Sequence, residues 1–152
     1  MALPNIYDKK VCDEIIARIN HLQSNTKPNW GKMSVAQMLA HCNVTYEMIY
    51  DNIHPKPNPI LRFIMKWMVK GKVVGEVGYP QNGPTGPQFI IKDDKNFDIE
   101  KNRLIEYIKK SQALGAAYFD QRESNSFGVL NSTEWNNMMY KHLNHHLTQF
   151  GV

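Results

Sequence analysis

The stretch YKHLNHHLTQFG, residues 140–151, puts three of the chain's six histidines within five consecutive positions: His142, His145 and His146. Histidines at i, i+4 on a helix bring two ring nitrogens toward one point, as in the helical HExxH zinc motif. A helix turns about 100° per residue. With Trp135 at zero, His142 falls near about −20° and His146 near about +20°, inside an apolar arc shared with Met138, Met139, Leu143 and Phe150. His145 lies near about −80°, at the edge of that arc, and reads as a flank residue that could bond to a ligand from behind. Asn137, Lys141, Asn144 and Thr148 fall on the other side.

A third inward imidazole comes from far upstream. Met38, His41, Thr45 and Met48 recur at helical spacing in SVAQMLAHCNVTYEMIY, so His41 shares the apolar side of its own helix. A buried polar group without a partner costs about 1–3 kcal/mol, against a typical domain stability of about 5–15 kcal/mol. Core histidines usually meet that cost with a hydrogen bond, and two neighbouring imidazoles can bond to each other or to water. A divalent cation meets it for three rings at once, and a ligand from a facing helix is the usual construction of a bundle metal site. His41, His142 and His146 are therefore the expected ligands. Three protein ligands leave a position for water or substrate, the arrangement of catalytic rather than closed structural sites. Neutral nitrogen donors suit zinc, nickel, iron or copper.

Other chemistry finds less support. Cys42 sits about 100° around the helix from His41, which argues against a Cys–His nucleophilic pair. The Gly-rich GEVGYPQNGPTGPQF lacks the GxxxxGK[ST] pattern of a phosphate cradle. Gln149 falls on the histidine face and Gln37 lies one turn before His41; either could orient a water, and a core-edge amide or a cap is the plainer reading. Glu47 lies on another face from His41. His21 and His54 read as surface or loop residues. No catalytic residue is assigned.

Four amphipathic helices must position these side chains. The first runs from Tyr7 to Gln23, with Val11, Ile15, Ile16, Ile19 and Leu22 on one side. The second opens at Ser34, where Gln37 completes a capping box, and continues to Asp51. The third begins near Asp98 as N-cap, with Glu100 in its first turn, and stops at Gly115. The fourth follows Asn131, with Glu134 at the third helical position. They are expected to pack as an all-α four-helix bundle. The long connection from Asn52 to Phe97 can cross the bundle and let helices two and three run parallel, or form a lid. Within it, ILRFIMKWMVK reads as a short helix closing one side of the bundle with its lysines solvated; a membrane-surface helix is the alternative. The methionines, Met65 and Met68 included, read as flexible core filling.

The 152 residues suit a single domain spanning 1–152. Hydrophobic residues make up 42% and charged residues 21%, an ordinary globular composition. Net charge is +4, but the lysines are scattered, without a basic stripe interleaved with aromatics, so no nucleic-acid partner is expected. No apolar run is long enough to span a bilayer and MALPNIYDKK lacks a signal-like segment, so the expectation is a cytoplasmic protein without a membrane partner. Cys12 and Cys42 read as reduced, buried thiols.

KHLNHHLTQFG, SVAQMLAHC, the lead-in PNWGKMS and LNSTEWNNMMYKH together resemble the DinB-like superfamily, in particular a branch known only as a domain of unknown function. The resemblance spans nearly the whole chain. It implies a bundle of up-down-down-up topology with the long crossover between helices two and three. It also implies a divalent metal on His41, His142 and His146, zinc or nickel first and iron or manganese next. Relatives include enzymes that transfer low-molecular-weight thiols or isomerise thiol adducts, and many are homodimers. The implied function is a metal-dependent thiol transferase or hydrolase-like enzyme acting on a small molecule. The alternative is a non-enzymatic ligand-binding or interaction domain with a structural or absent metal. One departure stands out: a histidine-proline pair is expected before the Phe-Gly ahead of helix four, and ESNSFG occupies that place.

Overall fold

The computed structural model describes residues 2–152. In chain order the elements are α1 (Lys9–His21), α2 (Val35–Tyr50), α3 (Pro59–Met68), α4 (Lys70–Val74), a single 3-10 turn (Pro87–Phe89), α5 (Phe97–Phe119), the strands β1 (Arg122–Ser124) and β2 (Gly128–Leu130), and α6 (Ser132–Gln149). The architecture is mostly helical, in the all-α class expected from the periodicity. No helix among the described residues is long and apolar enough to cross a membrane.

Local chemistry sets the helix starts. Ser34 and Gln37 exchange side-chain and backbone hydrogen bonds at the head of α2, and Asn131 and Glu134 do the same for α6, so each box satisfies two otherwise orphaned donors. At α5 the cap is Asn96, whose side chain accepts from the Ile99 N–H at 3.0 Å; the helix starts before Asp98, which falls in its first turn. Gly115 does interrupt α5, at φ +70°, a conformation that favours glycine. One more turn then carries Phe119 into the core against Tyr7 and Trp135.

The core is built from Ile15 and Ile19 of α1, Met38 and Leu39 of α2, Leu104 and Ile108 of α5, and Met139 and Leu143 of α6. α2 is the central element, with thirteen of its sixteen residues buried. It packs on α5 through a polar seam as well as an apolar one. Asn43 Nδ2 donates to Glu100 Oε2 at 2.8 Å, Arg103 bonds to both Glu100 and Glu47, and His54 meets Glu47 at 2.7 Å. Glu100 therefore works as an interhelical partner rather than only a first-turn charge. His54 lies in the loop after α2, as read, and is held there by Glu47.

The connection between α2 and α5 covers the polar side of α6 and corrects one expectation. Lys141 and Asn137, on the polar side of α6, lie buried beneath α4. The Lys141 ammonium donates to the carbonyls of Lys72 (2.7 Å) and Gly75 (2.6 Å), Asn137 Nδ2 donates to the Val74 carbonyl, and Lys70 pairs with Glu134. α3 forms where ILRFIMKWMVK predicts a helix, but it does not close the bundle with an apolar face. It has no buried residue, Met65 alone of its side chains joins the core, and Met68 stands in solvent rather than filling a gap. Cys12 and Cys42 are free and buried, as expected.

Candidate metal centre

α2 and α6 carry the three inward imidazoles to one place. His41, His142 and His146 each offer a ring nitrogen, and the three nitrogens lie within 4.8 Å of one another. Ring centroids are 4.5–4.9 Å apart. His41 and His146 are buried and His142 is nearly so. The i, i+4 pair and its distant partner are thus brought together. His145 stays on the flank: its ring packs edge-on against His146 and between Trp30 and Tyr79.

The outward nitrogen of each ring has its own partner. His41 Nδ1 lies 2.8 Å from the Phe89 carbonyl oxygen, which can only accept, so Nδ1 carries the proton and Nε2 a free lone pair. Gln149 Nε2 donates to the Trp30 carbonyl at 2.8 Å, which fixes the amide orientation and places Oε1 2.8 Å from His146 Nδ1. His146 therefore donates there and also keeps Nε2 bare. Thr45 Oγ1 meets His142 Nδ1 at 3.1 Å, and a hydroxyl serves either tautomer.

That freedom matters because His142 Nε2 and His41 Nε2 are only 2.9 Å apart. With Nδ1 of both rings protonated, two lone pairs face each other and repel, unless a cation sits between them. Without a cation, the pair is satisfied when His142 protonates Nε2 and donates it to His41, with the Thr45 hydroxyl turned to donate to Nδ1. The donor set fits a divalent ion that favours nitrogen, since neutral imidazoles held by hydrogen bonds from behind are the usual form of such ligands.

Electrostatics keeps the rings neutral. Burial, with neighbouring imidazoles adding to it, pushes His142 well below the ordinary histidine range and His146 down to about 3. Burial also lowers His41, against a partial rise from the Phe89 carbonyl. Metal ligation requires unprotonated rings, so the site is prepared for it.

The partners that hold the rings were within reach of sequence reasoning in location but not in role. Thr45 was already on the His41 stripe and Gln149 on the histidine face; Phe89 lies in the Gly-Pro-rich segment, which has no periodicity to read. Gly31 explains the PNWGKM lead-in. At φ +83°, a Cβ there would lie 2.6 Å from Gln149 Nε2, so glycine lets the Trp30 carbonyl reach that amide. Gln37 caps α2, as read. The Phe89 ring lies tilted 5.3 Å from His41 and meets His142 edge-on (5.8 Å), and Tyr79 approaches His142 at 6.5 Å. The connecting segment therefore walls the triad with aromatic rings.

The ESNSFG stretch forms the hairpin turn of β1 and β2, where the Phe127 N–H donates to Ser124 Oγ and Ser124 Oγ donates to the Gly128 carbonyl. Glu47 is committed to Arg103 and His54. Burial raises the Cys42 thiol far above its ordinary range, which leaves it inert as a nucleophile.

No curated protein and no solved structure matches the chain. A family described as "Protein of unknown function (DUF1569)" matches residues 7–151, almost the entire length from α1 to the end of α6, and the chain belongs to that family.

Proposed function

We propose that the protein is a divalent-metal-dependent enzyme of DinB-like type, with an up-down-down-up four-helix bundle holding the ion on His41, His142 and His146. The observation that carries this reading is the convergence of the three rings, each with its Nδ1 engaged from behind. Phe89, Thr45 and Gln149 each engage an Nδ1, so three Nε2 atoms are directed to one point. When bound, the ion supplies Lewis acidity, lowering the pKa of a water or thiol at its open position toward neutrality.

The chain's own residues do the rest. The groups that orient the rings are a backbone carbonyl, a hydroxyl and an amide, all neutral, so the ligand set leaves the ion's charge uncompensated and favours an anionic fourth ligand such as a thiolate. Phe89 and Tyr79 keep bulk water from the rings and offer an apolar wall to a small-molecule substrate. Zinc or nickel fits the imidazole donors best, with iron next; manganese enters only through the DinB-like resemblance.

The test is metal analysis of untagged protein. We expect about one ion per chain, and His142→Ala should abolish binding while circular dichroism retains the helical signal. A metal-free wild type, after purification in metal-replete medium, would refute the reading. A second reading, a ligand-binding domain with a structural ion, is favoured by the absence of a carboxylate among the groups that hold the rings, which are the Phe89 carbonyl, the Thr45 hydroxyl and the Gln149 amide. Under that reading, chelation should lower the melting temperature sharply and no substrate should turn over.

A further inference from the structure

We propose that α3 is a docking element for an anionic phospholipid surface. Ordinary surface helices turn their apolar stripe to the core; α3 does the reverse. With Phe63 at zero, Trp67, Ile60, Ile64, Met68 and Leu61 span an arc of about 40° to about 160°. All are exposed, Ile60 at 75%, Trp67 at 72%, Met68 at 71% and Phe63 at 64%. The opposite side, near about −100° to −160°, faces the molecule: Arg62 binds Glu123 and the Ser124 carbonyl, and Met65 packs on the core. The helix is thus anchored by its polar flank and presents a contiguous apolar face outward, the kind of patch that marks an interaction site.

Charge selects the occupant. Residues 52–75 contain no Asp or Glu and carry Lys56, Arg62, Lys66, Lys70 and Lys72, more positive charge than the whole chain's net +4. Lys56 and Arg62 pair with Glu123, and Lys70 pairs with Glu134. Lys66 and Lys72 are left outside any ion pair among the described residues. Lys66 borders the apolar arc at about −60°. An apolar face rimmed by cations, with a tryptophan on it, matches helices that lie in the interface of an anionic bilayer. The same charge opposes pairing this face with a second copy of itself. Sequence alone gives α3 a packing role, which the outward turn of its apolar arc does not fulfil.

The test is co-sedimentation of the full chain with phosphatidylcholine vesicles, alone and with added phosphatidylglycerol. We expect pelleting with the anionic vesicles only, weakening as salt rises, with a blue shift of tryptophan emission that Trp67→Phe removes. Phe63→Glu should weaken binding by about tenfold or more, and Lys66→Glu by roughly tenfold; both positions face solvent, so the fold is kept. No pelleting at low salt, equal pelleting with neutral vesicles, or unchanged binding by Phe63→Glu would overturn the proposal. So would a dimer in sedimentation that Phe63→Glu dissociates, which would make this face an interface between copies.

Discussion

The three imidazoles differ in what fixes their protonation. Phe89 and Gln149 dictate the tautomers of His41 and His146, while Thr45 permits two for His142. Gln149 is the most sensitive of these partners, because its amide links His146 to the Trp30 carbonyl and no other group can serve both. Replacing it with leucine removes the acceptor and frees the ring. We expect Gln149→Leu to weaken metal affinity by about 10–100-fold while one ion per chain still binds at saturation, measured by competition with a chromogenic chelator. The same rings give a pH dependence whose sign is set by burial. Their folded pKa values lie below the ordinary value of about 6.5, with His146 at about 3. Above about pH 6.5 both folded and unfolded chains carry neutral rings and this contribution is constant. As pH falls below that, the unfolded chain takes up protons the folded one resists, so stability declines toward the folded values. Chelator-treated protein should therefore melt at progressively lower temperature from about pH 7 to about pH 4. A flat profile would show that the rings are not buried as described.

At the scale of elements, α4 depends on α6 rather than on its own five residues, too few to be stable alone. The Lys141 ammonium sits at the C-terminal end of α4, accepted by two carbonyls that would otherwise be orphaned, and opposite the negative pole of that turn. We expect Lys141→Met to loosen residues 70–79, seen as faster amide exchange there and earlier tryptic cleavage after Lys72, while α6 stays protected. This arrangement also marks where the sequence stops being readable. The capping boxes of α2 and α6, the inward phase of His41, His142 and His146, and the break at Gly115 all follow from local pattern. The burial of Lys141 and Asn137 beneath α4 is not legible from their place on the polar side of α6, because a helical wheel records polarity, not what later covers a polar face. α3 failed for the converse reason: amphipathicity establishes that a helix has an apolar side but not which way that side turns. Phe89 joins the site through a backbone carbonyl, and a carbonyl has no sequence signature.

Across the whole molecule, the family match covers α1 to the end of α6 but supplies no activity, so function rests on how distant segments converge. The middle of α2, the 29–31 loop, the Pro87–Phe89 turn and the last turns of α6 all meet around the triad. A consequence follows from where the three tryptophans fall. Trp135 is sealed in the core, Trp67 projects into solvent from α3, and Trp30 rests its ring edge-on against His145 while its carbonyl holds Gln149. The chain thus carries three optical reporters for three separate events: unfolding, contact of α3 with a surface, and occupancy of the imidazole cluster. Single-tryptophan variants would let each be followed without any added dye.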